Sequence, residues 1–459
     1  MDANGNAVVV WRQYDGTTDC GGTDCRQIFV SEYRNNSWTH PADLTDNISL
    51  DGQNAERMPQ VAMDANDNAL LVWSQFDGTT GCGGGSGCPQ IFVSEYRNNS
   101  WTHPLSLTDN ISPDGNIAYY PQVAIDDNGN ALVVWSQYDG VTGSPLCNDV
   151  LGCEQIFVSE YRNNRWTHPA SLTGNISPDF TDALGPQVAM DANGEALVAW
   201  QQSDSARFQI FLSEYRNNSW THPASLSDNI SLNRYAASPQ VAMDGNGNAM
   251  VVWYQDDGTT DCGGAGCNQI FVSEYRNGSW THPASLTDNI SPDGESVGFP
   301  QVAMDGNGNA VVVWPQDDGT TDCGGSACTQ IFVSEYRNGS WTHPADLTDN
   351  ISPDGSDAYN PEVAMDANGN ALVGWRQKDG TTDCGGAGCY QIYVSEYRNG
   401  SWTHPADLTD NISPDGHDAF IPQVAMDANG NAVVVWRQKD GTTDCGGVAC
   451  EQIFLSEYR

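Results

Sequence analysis

The chain has 459 residues, with 18 lysines and arginines set against 59 aspartates and glutamates, for a formal net charge of −41. So acidic a surface repels phosphate backbones and anionic headgroups, which argues against nucleic acid and membranes as partners. It favours divalent cations, cationic partners or a high-salt milieu, and no stretch reaches the ~18 consecutive apolar residues of a membrane span.

From Met1 the chain enters a copy of a unit that recurs to Arg459. Its clearest marker is a Trp closing an apolar run: Trp11, Trp73, Trp135, Trp200, Trp253, Trp314, Trp375 and Trp436. The steps between them are 62, 62, 65, 53, 61, 61 and 61 residues. A second series, Trp38, Trp101, Trp166, Trp220, Trp280, Trp341 and Trp402, uses up the remaining tryptophans. The chain starts inside one copy and ends inside another, at Ser-Glu-Tyr-Arg, so it is expected to be a partial chain.

Each copy holds four strand-like segments. Segment A, PQVAMD in most copies, opens with Pro59, Pro121, Pro186, Pro239, Pro300, Pro361 or Pro422, and Pro is tolerated at a strand's first residue. Segment B, such as ALVVWSQ, ends just past the first Trp. Segment C is QIFVSEYR and segment D is SWTHPADL. Val, Ile, Phe, Tyr and Trp dominate A, B and C, as pleated, half-buried strands require. Asn-Gly between A and B, as at Asn4-Gly5, and between C and D, as at Asn277-Gly278, is a hairpin signal.

Four-stranded antiparallel units repeated in this way predict an all-β β-propeller. Eight blades with incomplete first and last blades are expected, in one domain spanning 1–459; seven blades plus a redundant B–C hairpin is the alternative. In such a meander the short, uniform A–B and C–D turns share one face. The long, variable B–C and D–A loops share the other, where function usually sits.

Segments C and D resemble the Asp-box (BNR-type) repeat of sialidase-like propellers, Ser-x-Asp-x-Gly-x-Thr-Trp. Ser31-Glu-Tyr-Arg-Asn-Asn-Ser37-Trp38 keeps the first Ser, the hydroxyl residue and the Trp, as do Ser273…Ser279-Trp280 and Ser395…Ser401-Trp402. Tyr33 stands where the motif has Asp, and the Gly is shifted or absent. The resemblance implies a propeller and, as an alternative function, a divergent sialidase-like glycoside hydrolase. That chemistry would need an arginine triad, a Tyr–Glu nucleophile pair and an acid. Eight arginines lie in SEYR near the C–D turn, and only Arg57 and Arg234 lie in D–A loops, so the residues single out no triad.

Fourteen cysteines fall as local pairs in the B–C loops: Cys20/Cys25, Cys82/Cys88, Cys147/Cys153, Cys262/Cys267, Cys323/Cys328, Cys384/Cys389 and Cys445/Cys450. The fourth copy lacks both members, as a bonded pair should. Disulfides in these loops predict an extracellular or cell-surface location. A metal thiolate is the rival, but zinc wants four ligands and each loop offers two cysteines and no His.

Bulky residues precede the segment-A Pro: Met58, Tyr119, Tyr120, Leu184, Phe299, Tyr359 and Phe420, with Tyr235 slightly earlier. They predict either an aromatic platform for a glycan or protein ligand, or plugs between blades. The expected ligand contacts are Tyr119, Tyr120, Phe299, Tyr359 and Phe420, oriented by Asp114, Glu295, Asp357 and Asp418. Loop carboxylates, including Asp15, Asp19, Asp293, Asp354 and Asp415, make Ca²⁺ a candidate cofactor. The Thr-His-Pro histidines (His40, His103, His168, His222, His282, His343 and His404) occur one per copy and are expected to be structural; His417 alone falls outside the pattern. Near-copies place like groups around the fold, whereas catalysis brings unlike groups together. The expected function is therefore a non-catalytic binding or scaffolding module, lectin-like and multivalent; a purely structural surface protein is the further alternative.

Overall fold

A computed structural model describes the chain except residues 18–19, 21–24, 57, 79–81, 83–86, 142–143, 145, 148–150, 260–261, 263–265, 321–322, 324–326, 382–383, 385–387 and 442–449. The described residues form thirty strands and no helix, and the protein is all-β. Eight antiparallel sheets follow one another as the blades of a β-propeller. Six have four strands. The first (Ala7–Tyr14, Arg26–Arg34, Ser37–Thr39) lacks strand A, and the last (Ala419–Met426, Ala432–Lys439, Glu451–Tyr458) lacks strand D. Two compact units, Met1–Ser231 and Leu232–Arg459, hold four blades each.

The third blade shows how sequence makes a blade. Strands A (Ala118–Ile125), B (Ala131–Tyr138), C (Glu154–Arg162) and D (Arg165–Thr167) pair in chain order. The A–B turn is built on Asp126. Its Oδ1 accepts the N–H groups of Asn128 (2.9 Å) and Asn130 (2.7 Å), and its Oδ2 accepts Asn130 Nδ2 (2.7 Å). Gly129, at φ 76°, closes the turn where an L residue would be strained. Strand B buries Trp135 completely; it stacks at 6.0 Å on Phe157 and packs against Leu70, Val72 and Ile91 of the preceding blade. Trp73, Trp200, Trp253, Trp314, Trp375 and Trp436 are buried likewise, while Trp11 is only half-buried.

Two expected boundaries change. Strand D is three residues, not eight: Ser100–Thr102 in the second blade stops before His103-Pro104, where Pro offers no N–H to a ladder. Strand A begins before its Pro in five blades, as in Ala118–Ile125, and carries a bulge there; only Gln60–Met63 and Gln301–Met304 start just after it. The bulge puts the residue preceding Pro in left-handed backbone at Tyr120, Gly185, Ser238, Asn360 and Ile421 (φ 54–61°), and Met58 adopts it too (φ 65°) although its strand A has no bulge.

The SEYR motif is a latch between blades. In the second blade Ser94 Oγ meets His103 Nδ1 at 3.0 Å, and the ring of His103 stacks on Trp101. Glu95 accepts Arg97 Nε (2.9 Å) and, from the next blade, Trp166 Nε1 (2.7 Å). Arg97 donates to the Gly129 carbonyl (3.0 Å) and lies 4.4 Å over the Tyr161 ring, both in the next blade. The Thr-His-Pro histidines are therefore spent on structure. Desolvation lowers the pKa of His103, His168, His222, His343 and His404.

Candidate functional site

The B–C and D–A connections lie at the same end of each blade, and their repeated residues are committed to holding it. Gln137 accepts Trp135 Nε1 (3.0 Å) and donates to the carbonyls of Pro113 (2.7 Å) and Asn116 (3.1 Å). Ser112 Oγ accepts Ile91 N–H and donates to Gln90 Oε1, pinning the Ser-Pro-Asp-Gly loop. Asp139, also buried, caps the B–C loop by accepting the N–H groups of Val141 (2.8 Å) and Cys153 (3.0 Å).

Six cysteine pairs are disulfides within their own loops: Cys20–Cys25, Cys82–Cys88, Cys147–Cys153, Cys262–Cys267, Cys323–Cys328 and Cys384–Cys389. Their Cα–Cα separations of 5.0–5.5 Å suit bonding. Cys445, of the seventh pair, lies outside the described residues, as do Asp19 and Arg57. Among the described residues one group has metal-ligand proximity, Cys147, Cys153 and Asp182, and its two sulfurs are bonded to each other. Each A–B turn Asp is likewise spent on its own turn, as at Asp126.

The five aromatic residues expected to bind ligand occupy two different positions. Tyr119, Tyr359 and Phe420 are half-buried and pair across to strand B at Ser136, Arg376 and Arg437. Tyr120 and Phe299 stand directly before Pro and are 51% and 64% exposed. Tyr120 and Phe299 thus have the exposure that a platform needs, and Tyr119, Tyr359 and Phe420 the partial burial of packed side chains.

These residues gather into three clusters. In the third blade Tyr119 meets Tyr120 edge-on at 4.8 Å and Tyr138 at 6.2 Å. Tyr119 and Tyr138 both lie beside the Glu154 carboxyl, and their hydroxyls pull its pKa down. Burial, with Asp182 nearby, outweighs that pull and raises the Glu154 pKa. Burial next to Glu154 pushes Tyr119 far above the usual phenol range. A second cluster joins Phe299 to Tyr254 (5.8 Å) and Tyr254 to Tyr235 (6.2 Å); burial pushes Tyr254 up to about 12. The third cluster surrounds Arg376, whose guanidinium carbon lies 4.9 Å from the Tyr390 ring centre, 5.5 Å from Phe420 and 5.8 Å from Tyr359.

The four expected carboxylates are placed differently. Asp357 and Asp418 clamp the start of strand C, accepting the N–H groups of Thr329 (3.1 Å) and Tyr390 (2.9 Å) beside Tyr359 and Phe420. Asp114 is exposed and accepts Asn110 Nδ2 (3.1 Å). Glu295 is raised by burial and by the charges of Asp317 and Asp318.

Sequence reasoning missed Tyr138, Glu154, Tyr254, Tyr390 and Arg376. Their signal was variability inside strands. The residue after the strand-B Trp is Arg, Ser, Ser, Gln, Tyr, Pro, Arg and Arg along the chain, and the first residue of strand C varies as widely.

No protein-family model and no curated protein matches the chain. Solved structures similar to it include the Hadza microbial sialidase Hz136, at 14% identity over 78% of this chain and 72% of that one, TM-score 0.41. A PL25 polysaccharide lyase, an ulvan lyase, is similar at 11% identity over 84% and 89%, TM-score 0.46. The α-L-arabinofuranosidase Arb93A of Fusarium graminearum is similar at 12% identity over 76% and 96%, TM-score 0.35.

Proposed function

We propose that the protein is an extracytoplasmic, non-catalytic binding propeller that takes carbohydrate at the loop-bearing ends of its blades. One observation carries this reading. The residues common to the copies are consumed by turns, latches and loop clamps, whereas aromatic residues that differ between copies stand half-buried or exposed at the loop-bearing end. Aromatic faces give a sugar contact area at low entropic cost. Weak sites on several blades add up on a polymeric ligand. Asp114, Glu295, Asp357 and Asp418 would orient sugar hydroxyls or hold Ca²⁺ beside the rings. The local disulfides support the extracytoplasmic placement. A glycan array probed with the whole chain, with and without Ca²⁺, tests the reading; sugar-specific retention supports it and a blank array refutes it.

A second reading, a divergent sialidase-like hydrolase, has the Tyr119–Glu154 pair in its favour. Turnover of a fluorogenic sialoside, abolished in Glu154→Gln, would establish it. An inert wild-type chain would remove it.

A further inference from the structure

Eight arginines of this acidic chain sit in SEYR motifs, and each is paired with the Glu two residues before it. Arg376 is different. It follows Trp375 on strand B (Ala371–Lys378), opposite Tyr359, and has no ion pair among the described residues. Its Nε is buried without a hydrogen-bond partner. A guanidinium left without an anion in a chain of net charge −41 is a costly arrangement. Its surroundings repeat the theme. Lys378, one of two lysines in the chain, has its ammonium 5.4 Å from the Tyr390 ring. Arg437 lies 5.8 Å from Phe420 and, among the described residues, its ion partner is the half-exposed Glu451, at 3.4 Å. The nearby Asp357 and Asp418 are turned to backbone N–H groups.

We infer that the Arg376 cluster is a binding site for a sugar carrying an anionic group. This deepens the carbohydrate reading above and rests on it. The guanidinium fork would take a carboxylate or sulfate in two parallel hydrogen bonds, with Lys378 as a second charge. The Tyr359, Tyr390 and Phe420 rings would pack on the apolar face of the sugar ring. Neither half is enough alone: a neutral sugar would leave the buried Nε unpaired, and a bare anion would leave the rings unused.

Calorimetric titration of the whole chain with tetragalacturonate, its methyl ester and a sulfated neutral galactan oligosaccharide tests the site. Tetragalacturonate or the sulfated oligosaccharide should bind at least about tenfold more tightly than the ester, and more weakly as salt rises. Whichever acid binds identifies the anion. Arg376→Gln and Phe420→Ala should each cost about tenfold, and Arg376→Lys less than Arg376→Gln. Thermal melts of each variant report folding. Tyr33→Ala, in a SEYR motif beside Trp38 and outside the candidate site, should leave this binding unchanged. Equal binding of acid and ester, or acid binding indifferent to Arg376→Gln in a folded variant, overturns the inference and leaves the general reading standing if neutral glycans still bind. Failure of every glycan, charged or neutral, overturns both.

Discussion

Gln stands second in segment A in six copies, but Glu362 takes its place in the seventh. Part of its side chain meets solvent, yet packing desolvates the carboxyl and raises it to about 7, against one hydrogen bond from Gln423 Nε2 (3.1 Å) in the next blade. The folded state therefore holds a proton that the unfolded chain releases near the usual carboxyl range. The associated stability is complete below that range and is lost as pH rises through about 7. Glu362→Gln should melt with the wild type at pH 5 and above it at pH 8.5; an offset independent of pH would refute the assignment. Trp135 is the opposite kind of residue, apolar and wholly buried against the preceding blade. Trp135→Ala should cost about 3–5 kcal/mol in denaturant titration, felt mainly by that blade and its neighbours.

At the scale of elements, turns and loops hold by different means. The A–B turn leans on one carboxylate, so Asp126→Ala should cost about 2 kcal/mol by leaving two N–H groups without their acceptor. Equal stability to the wild type would show that water replaces it. The B–C loops lean on covalent rings. Peptide mapping of the unreduced protein should return each cysteine with its loop partner, including Cys445 with Cys450, and denatured protein should show no free thiol. Cross-loop pairs would contradict this. The cysteine pairs, the Asn-Gly turns and the buried Trp series were legible in the sequence because each is local and repeated. The bulge before Pro121 was not, because Tyr120 at φ 54° carries none of the Gly or Asn chemistry that marks left-handed backbone. The short strand D was not, because Thr-His-Pro continues an extended pattern past the point where its ladder stops.

Across the whole molecule, repetition makes the fold legible and hides the site. Averaging the copies recovers the strands, and it discards the positions where copies differ, among them Glu154, Tyr254 and Arg376. The candidate aromatics were found because Tyr119, Tyr359 and Phe420 sit beside a fixed Pro. Their partners lie on strands B and C, and only register joins Tyr359 to Arg376. The central claim is this division between repeated scaffold and variable binding residues. It is tested most directly by comparing two double variants for binding to a glycan that the array selects. Tyr119→Ala with Tyr120→Ala should weaken binding by about tenfold with little change in Tm. Tyr33→Ala with Tyr96→Ala, which removes the ring tilted against Trp38 and the one edge-on to Trp101, should lower Tm and leave Kd within about twofold. Binding that survives the first pair and fails with the second, in a protein still folded, would contradict the account.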